Sequence, residues 1–238
     1  LDIYNAQICK IMKMENLNYL FIGSSSELAE ETLNLFSKKG FKVYGVSRRV
    51  NDISHFEDFL VVNDYLKELD KIIQFTEKIN NCCVVFFNGF LAENRSEEVP
   101  SISEIVETDL ANFNVPYSLT KALKEKTNSI NKYIYISSIA AVKPRNKNYI
   151  YGLSKRKLEI GVEELKLDNY LILRFGKILT EMSKNHKNSP FTLNKSKAAE
   201  AIFNNKERSG IIYPIIGLFF MSLIIKFLPR KIINYIEK

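Results

Sequence analysis

Short apolar runs alternate along the chain with stretches in which apolar residues recur at helical spacing. The run at 18–22, NYLFI, leads into Gly23 and three serines, and apolar residues then repeat every three or four positions up to the stop signal Gly40. Further strands are predicted at 41–46, 59–62, 82–87, 133–136, 170–174 and 210–213, and further helices at about 66–80, 101–126, 149–166 and 195–205. Pro116 lies inside the longest helix and is expected to kink it.

This alternation predicts an α/β fold, a doubly wound parallel sheet of about seven strands with helices on both faces. No linker or break in composition divides the pattern, so we expect one domain over residues 18–238. Residues 1–17 show no convincing element, and we expect a disordered extension there, with the natural start at Met12 or Met14.

Polar residues and glycines follow the predicted strands. In doubly wound sheets, ligands bind beyond the carboxyl ends of the strands, which lie at one edge of the sheet. The predicted strand ends carry Gly23, Arg48, Asp64, Asn88, Ser138 and Gly176. We expect these residues to line one crevice.

The composition fits a protein with a substantial core, since 46% of the 238 residues are hydrophobic and 26% are charged. Cys82 and Cys83 are adjacent and Cys9 is the only other cysteine, which predicts free thiols in a reducing, cytoplasmic setting. The two histidines lie near no residues with metal-ligand spacing, so we expect no metal. The net charge of +7 is spread along the chain, which favours a solvated basic surface over nucleic-acid binding.

The stretch GSSSELA, residues 23–29, opens the first helix. Gly23 permits a tight turn, and the hydroxyls of serines such as Ser25 and Ser26 can hold a pyrophosphate together with the amides at the helix N-terminus. An ordinary helix cap is the alternative interpretation.

The second strand ends in Ser47, Arg48 and Arg49, with no acidic residue. An acid at this place binds the ribose 2′-hydroxyl of NAD, whereas guanidinium groups suit the 2′-phosphate of NADP. The pattern therefore favours NADP, and two merely exposed arginines are the alternative.

Two Tyr-x-x-x-Lys pairs, Tyr117–Lys121 and Tyr151–Lys155, place a phenol and an ammonium on one helix face. About one such pair is expected by chance, so the context must separate them. Tyr117 lies deep in the long helix with no strand end before it. Tyr151 begins the helix after the strand YIYISS, thirteen residues after Ser138, so this pair faces the predicted crevice beside a hydroxyl.

Six motifs follow one another over about residues 18–213: GSSSELA at 23–29, FNGF at 87–90, NFNVP with Asn112, ISS at 136–138, YGLSK at 151–155 and RFGKILT at 174–180. In this order they resemble the short-chain dehydrogenase/reductase family, in its compact single-domain branch with a Rossmann fold. The resemblance implies an oxidoreductase that transfers hydride between NADP(H) and a ketone or secondary alcohol, with NAD as the less favoured cofactor.

The resemblance implies that Asn112, Ser138, Tyr151 and Lys155 form the catalytic set. Tyr151 is the expected general acid/base, Ser138 orients the carbonyl oxygen, and Lys155 also binds the nicotinamide ribose, while Asn112 holds a proton-relaying water. A free phenol has a pKa of about 10, so Lys155 and the oxidised nicotinamide are expected to favour the phenolate.

The cofactor-binding residues implied by the resemblance include Asp64 at the adenine and Thr180 at the nicotinamide carboxamide, although both could be plain turn residues. The full implied set is Gly23, Ser25, Ser26, Leu28, Ser47, Arg48, Asp64, Asn88, Gly89, Tyr151, Lys155, Gly176, Ile178 and Thr180.

The chain departs from the family pattern at several positions. Glu27 and Ala29 replace the second and third glycines of the nucleotide turn, and Phe175 replaces a proline. Gly89-Phe90 stands where the family has Ala-Gly. The side chain of Glu27 is expected to point away from the pyrophosphate, since it would otherwise weaken cofactor binding.

The tail is apolar, with a helix expected at about 215–236. Pro214 and Gly217 interrupt the run, which leaves too little to span a bilayer. A helix that covers the substrate site or a subunit interface is one interpretation, and a helix lying on an acidic membrane is the other.

The substrate is expected to be a small carbonyl or alcohol, including a sugar or lipid-linked keto-sugar, and the protein to be a homodimer or homotetramer. We expect a cytoplasmic location, with the inner face of the membrane as the site if the tail binds lipid. The alternative to an enzyme is a catalytically silent NADP-binding regulatory or scaffold protein with the same fold.

Overall fold

The computed structural model describes residues 17–50, 54–92, 100–145, 148–186, 188–229 and 231–232. Within them, seven parallel strands form one sheet in the order β3-β2-β1-β4-β5-β6-β7. The strands are β1 (Asn18–Ile22), β2 (Val43–Ser47), β3 (Asp58–Val61), β4 (Cys82–Phe86), β5 (Ile130–Ser138), β6 (Tyr170–Phe175) and β7 (Gly210–Ile212). The predicted α/β fold with a doubly wound parallel sheet is confirmed.

The described residues form seven α-helices, of which six lie between strands and the last follows β7. They are α1 (Glu27–Lys38), α2 (Leu69–Glu77), α3 (Ile102–Asp109), α4 (Val115–Lys126), α5 (Tyr149–Glu164), α6 (Lys195–Asn205) and α7 (Ile216–Phe227). The chain passes from one half of the sheet to the other between the neighbouring strands β1 and β4. In doubly wound folds this reversal of strand order opens the ligand-binding crevice.

The long helix predicted at 101–126 is wrong in one respect, because a π-helical turn at Leu110–Asn114 separates α3 from α4. Pro116 lies in the first turn of α4, where its missing N–H costs no hydrogen bond. The irregularity therefore precedes the proline, as a wider turn in the helical path rather than a kink at Pro116.

Two hydrophobic layers cover the sheet, one on each face. The strand β4 is buried on both faces, which explains its unbroken apolar sequence CCVVF. Because side chains alternate along a strand, Cys82 and Cys83 belong to opposite layers. We call the layer that contains Cys82 the first hydrophobic layer and the one that contains Cys83 the second. A third, smaller cluster forms where α7 packs on Ile139, just after β5.

The ends of the chain modify two further predictions. Leu17 is buried against the second layer, so the expected disordered extension does not include it, and residues 1–16 lie outside the described residues. The apolar helix predicted at about 215–236 is observed over Ile216–Phe227, and residues 233–238 also lie outside the described residues.

Candidate active site

The turn after β1 brings three strand ends together at Gly23. The Gly23 N–H donates a 2.9 Å hydrogen bond to the carbonyl of Val46 in β2. Its φ is +78°, and a Cβ there would lie 2.9 Å from the backbone nitrogen of Asn88, which follows β4. Only glycine fits this conformation and this close approach, so the turn depends on residue 23.

Polar groups without protein partners lie beside this turn. The Ser24 hydroxyl and the Asn88 amide oxygen are buried and make no hydrogen bond to the residues that the structure describes. Ser26 caps α1 by accepting a 3.2 Å hydrogen bond from the Ala29 N–H. An open helix N-terminus with spare buried polar groups fits the phosphates of a dinucleotide.

The end of β2 presents two exposed guanidinium groups. Ser47 is fully buried, and its hydroxyl both accepts from the Arg49 N–H and donates to the Arg49 carbonyl, which closes the turn. The side chains of Arg48 and Arg49 extend from this turn into solvent. Their position fits an extra phosphate on the ribose, as in NADP.

Tyr65 is a site residue that the sequence analysis missed. Its buried hydroxyl is hydrogen-bonded to the side chain of Asn88 and to backbone groups of Gly23 and Arg48, so it braces three strand ends. Burial raises the pKa of the Tyr65 hydroxyl, and these contacts lower it by a smaller amount. A lone tyrosine in a turn has no sequence pattern that would have revealed this role.

Asp64 precedes Tyr65 and is engaged in its own turn. Its Oδ1 accepts hydrogen bonds from the backbone N–H groups of Leu66, at 2.8 Å, and Lys67, at 3.1 Å. The bonds from Lys67 and Leu66 lower the pKa of the carboxyl. Its contact with an adenine stays a prediction.

The carboxylate of Glu27 bridges the nucleotide turn to the loop after β6. One oxygen accepts from the Glu181 N–H at 2.6 Å, and the other lies 2.7 Å from the ammonium of Lys195. The hydrogen bond from Lys195 is the main reason that the Glu27 pKa is lowered. The sequence analysis missed Lys195, which is 168 residues away along the chain.

The loop after β6 contains the remaining predicted cofactor residues. Ile178 forms a bridge to Leu193, and Thr180 caps a short 3-10 helix at Glu181–Ser183. An open cleft of about 400 Å³ is lined by Glu27, Lys177, Leu179, Thr180, Glu181, Ser183, Lys184, His186 and Asn188. This cleft adjoins the nucleotide turn but is not lined by Tyr151 or Ser138.

The π-helical turn places Asn112 against the loop after β4. Asn112 is fully buried, its amide donates a 2.7 Å hydrogen bond to the Phe90 carbonyl, and its oxygen accepts from the Phe90 N–H at 3.3 Å. A Cβ at Gly89 would lie 3.5 Å from the same oxygen. Asn112 therefore ties the helix to the segment that follows the central strand.

Tyr151 and Ser138 are joined by a hydrogen bond between their hydroxyl groups. Burial raises the pKa of Tyr151 to about 12, and the bond from Ser138 opposes this only in part. The expected shift towards the phenolate is therefore wrong for the protein alone. The reason is geometric, because the Lys155 ammonium lies 5.9 Å from the centre of the phenol ring and is not bonded to its oxygen.

The ammonium of Lys155 is buried and donates a 2.9 Å hydrogen bond to the carbonyl of Ile136. Burial lowers its pKa to about 8, and the charge of Glu159 opposes this shift. Lys155 is thus held one helical turn from Tyr151, and its ammonium loses its proton at a lower pH than a free lysine does.

A buried ionic network behind Lys155 was not predicted. Glu159 accepts hydrogen bonds from the Ser137 hydroxyl at 2.6 Å and from Arg174 Nε at 3.0 Å. Arg174 Nη1 in turn lies 2.6 Å from the hydroxyl of Tyr213. The network joins α5 to the ends of β5, β6 and β7.

The second Tyr/Lys pair has a packing role, since Tyr117 is half-buried between helices and Lys121 is exposed. The Tyr117 ring stacks on Phe113 with 5.3 Å between centroids, and it belongs to the edge of the first hydrophobic layer. A Cβ at Gly161 of α5 would lie 2.8 Å from this ring. Tyr117 packs helix against helix, away from the crevice.

Most of the predicted residues thus fall into four groups. Ser138, Tyr151 and Lys155 are brought together, and Asn112 lies with Gly89 beside the end of β4. Gly23, Ser25, Ser26, Ser47, Arg48 and Asn88 surround the first turn, whereas Leu28 is buried in the second hydrophobic layer. Gly176, Ile178 and Thr180 follow β6 in the loop that contacts Glu27.

No protein-family model matches the sequence. Several solved structures are similar. One is a short-chain dehydrogenase from Burkholderia cenocepacia J2315 in complex with NADP, with a TM-score of 0.77 and 14% identity over 90% of this chain and 98% of that one.

Two further structures are similar over nearly their whole length. The 3-oxoacyl-[acyl-carrier protein] reductase from Brucella melitensis, in complex with NAD, has a TM-score of 0.69 and 16% identity over 87% of this chain and 97% of that one. The carbonyl reductase Sniffer of D. melanogaster has a TM-score of 0.66 and 16% identity over 83% of this chain and 96% of that one. The protein therefore has the fold of the short-chain dehydrogenases/reductases.

Proposed function

We propose that the protein is an NADP-dependent oxidoreductase of the short-chain dehydrogenase/reductase type, acting on a ketone or secondary alcohol. The observation that carries the proposal is the pair formed by the half-buried Tyr151 and the buried Ser138 through their hydroxyl groups, with the Lys155 ammonium one helical turn away. This group lies at the same sheet edge as the Gly23 turn, whose spare polar groups fit a dinucleotide.

Bound NADPH would supply the hydride that reduces a carbonyl carbon. Tyr151 carries a proton at neutral pH and can donate it to the substrate oxygen, although burial raises its pKa to about 12 and so makes it a weaker acid than a free phenol. Ser138 donates to the same oxygen and fixes its position. Lys155 supplies positive charge below a pH of about 8, which favours the phenolate that remains after the proton leaves.

The geometry of the crevice supports the proposed cofactor contacts. Residues 23–26 and Asn88 hold the pyrophosphate, and Arg48 holds the 2′-phosphate from the turn that the Ser47 hydroxyl closes. The solved structures with this fold contain NADP in one case and NAD in another. The absence of an acid after β2 favours NADP here.

Asn112 is proposed to complete the catalytic set as the residue that holds a water for proton relay. Its burial at the π-helical turn supports a fixed position for its amide. Thr180 is proposed to contact the carboxamide of the cofactor, beside Gly176 and Ile178. We also propose a sugar or lipid-linked keto-sugar as substrate and a homo-oligomeric protein.

The substitution Tyr151→Phe tests the proposal. It removes the proton donor and leaves the ring packing, so we expect kcat to fall by about a thousandfold or more. NADPH binding, followed by cofactor fluorescence, should change by less than about twofold. The assay is NADPH oxidation over a panel of carbonyl substrates that includes keto-sugars with and without a lipid carrier.

Tyr117→Phe serves as the matched control, because it makes the same change in the second Tyr/Lys pair, whose tyrosine packs between helices. Its kcat should equal that of the wild type. Undiminished turnover in Tyr151→Phe would disprove the assignment of Tyr151. NADPH binding without turnover of any substrate in the wild type would favour the silent regulatory or scaffold protein.

A further inference from the structure

The helix α7 carries an apolar stripe along its outward face. We use the name apolar stripe for six large side chains of α7 that are between 38% and 79% exposed: Ile216, Phe219, Phe220, Leu223, Ile224 and Phe227. They are spaced one, three or four residues apart, so they form one continuous surface along the helix. A patch of this kind on a protein surface marks a contact site.

The opposite face of α7 is already in use. Leu218 and Ile225 are buried and pack against Ile139 at the end of β5. The ammonium of Lys143 donates a 2.6 Å hydrogen bond to the carbonyl of Leu228, just past the helix. The helix is thus fixed to the domain by its inner face, and the apolar stripe is left to contact something outside it.

The charged residues close to the apolar stripe along the sequence are all positive. Between Glu207 and Glu237 the sequence contains no acid and four cations: Arg208, Lys226, Arg230 and Lys231. Lys226 and Lys231 are exposed at the C-terminal end of the stripe. An apolar helix face with cations and no acids matches an anionic lipid surface.

Self-association through the same face fits the charges less well. A two-fold contact repeats the same patch on both copies, so both copies would bring Lys226 and Lys231 to the contact, and residues 208–236 supply no acid to pair them. No described helix has the length and apolarity that crossing a bilayer requires. The helix would therefore lie in the plane of the lipid surface.

We propose that α7 docks the protein on an anionic membrane, with the apolar stripe in the acyl boundary and Lys226 and Lys231 at the headgroups. The inner face of α7 reaches the candidate active site, since a Cβ at Gly176 would lie 3.2 Å from Leu218 and Ile139 follows Ser138. If the proposed function holds, docking also brings the crevice next to substrates that carry an apolar chain. This last step rests on the proposed function, and the docking itself does not.

Vesicle co-sedimentation tests the docking without any enzyme assay. The probes are vesicles of phosphatidylcholine alone and vesicles with added phosphatidylglycerol. The wild type should partition strongly to the anionic vesicles, and the pair Phe220→Ser/Ile224→Ser should lower this partition by about tenfold or more. Lys226→Gln/Lys231→Gln should lower it by about fivefold per lysine and bring it towards the value on neutral vesicles.

The matched control is Ile102→Ser/Val106→Ser on α3, which removes apolar side chains that are 82% and 59% exposed, against 59% and 60% for Phe220 and Ile224. The control should bind as the wild type does. Equal partition of the wild type and the α7 pair would overturn the proposal, as would equal binding to neutral and anionic vesicles. A dimer in the wild type that becomes a monomer in the α7 pair, without vesicle binding, would overturn it in favour of self-association.

Failure of the docking proposal and failure of the proposed function are distinguishable in these experiments. Vesicle partition depends on α7 and does not require turnover. Tyr151→Phe should bind vesicles as the wild type does, because Tyr151 belongs to α5 and lies outside the apolar stripe. A protein that binds vesicles but oxidises no NADPH would keep the docking surface and lose the enzymatic proposal.

Discussion

The charge of Lys155 depends on two opposing influences at the scale of single residues. Burial lowers its pKa to about 8, and the carboxylate of Glu159 works against that shift. Glu159 in turn is shared with Arg174, whose guanidinium lies at the other end of the buried network. The proton on Lys155 is therefore controlled by residues that never touch a substrate.

We predict that Glu159→Gln moves the alkaline limb of kcat/KM to lower pH. Glu159 favours the charged form of Lys155, so its removal lowers the Lys155 pKa below about 8 and the ammonium is lost earlier as pH rises. The unpaired Arg174 should also cost about 3–5 kcal/mol of stability. The pH profile and the thermal unfolding midpoint together measure both effects.

Ser137→Ala is the matched control for this experiment. It removes the 2.6 Å hydrogen bond to Glu159 and leaves both charges of the network in place. Its alkaline limb should coincide with that of the wild type. An unchanged limb in a folded Glu159→Gln variant would show that Glu159 does not control Lys155.

Glu27 also affects the site at the residue scale, because it adds a negative charge where we propose that the cofactor phosphates bind. Its carboxylate is neutralised by Lys195 and held by the Glu181 N–H. A phosphate near the N-terminus of α1 competes with this carboxylate for the same positive environment. The acid that replaces a glycine here is thus expected to weaken cofactor binding.

We predict that Glu27→Gln lowers the Kd for NADPH by about three- to tenfold at low ionic strength, because it removes a like charge near the pyrophosphate. The gain should shrink as salt is added. Fluorescence titration with NADPH measures both. Glu31→Gln, one turn further along α1, makes the same change in charge and should leave the Kd nearly unchanged, whereas a weaker complex in Glu27→Gln would contradict the prediction.

At the scale of elements, α5 is placed by its close contact with the 3-10 turn at Ile139–Ala141. A Cβ at Gly152 would lie 2.7 Å from the Ala140 carbonyl and 3.2 Å from Pro144. Since both neighbours are backbone, they cannot rotate away. The glycine next to Tyr151 therefore sets the distance between the helix and the strand end that carries Ser138.

We predict that Gly152→Ala lowers kcat by about tenfold or more, because α5 must move outwards and the Tyr151–Ser138 hydrogen bond lengthens. The overpacking should cost about 1–3 kcal/mol, against a helix-propensity gain of about 1 kcal/mol. Gly161→Ala on the same helix is the control, because its Cβ would meet the movable ring of Tyr117. Steady-state kinetics and thermal unfolding of both variants check this, and an equal loss of kcat in both would refute it.

Strands were predictable from the sequence where their burial produces a simple pattern of apolar residues. Strand β4 was found because it is buried on both faces and reads as one apolar run. The predicted strand at 133–136 was too short, because β5 begins at Ile130 and includes Lys132 in the core. That lysine is tolerated because its ammonium donates a 2.6 Å hydrogen bond to the carbonyl of Arg208, a contact that no local pattern reveals.

The candidate site was predictable only in part, for a similar reason. Ser138, Tyr151 and Lys155 come together because a strand end and the next helix fix them by spacing. The contacts of Glu159 with Arg174 and of Glu27 with Lys195 join distant parts of the chain. The π-helical turn was also missed, because the apolar spacing of 101–126 continues through it.

At the scale of the whole molecule, the crevice and the apolar stripe are two sides of one end of the sheet. Ser138 ends β5 and Gly176 follows β6, and α7 packs over these two strand ends through Leu218 and Ile225. A movement of α7 would therefore affect both the crevice and the apolar stripe. This arrangement connects the proposed docking on lipid to access to the site.

The two cysteines of β4 give each face of the central strand its own chemical reporter. Cys82 and Cys83 are fully enclosed on opposite sides of the sheet, and burial raises the pKa of both thiols, to about 12 for Cys83. Thiolate is the form that alkylating reagents attack, so neither residue reacts while its layer is closed. If one cysteine is alkylated before the other, its hydrophobic layer opens first. The two native cysteines therefore report on the two layers separately, without an engineered label.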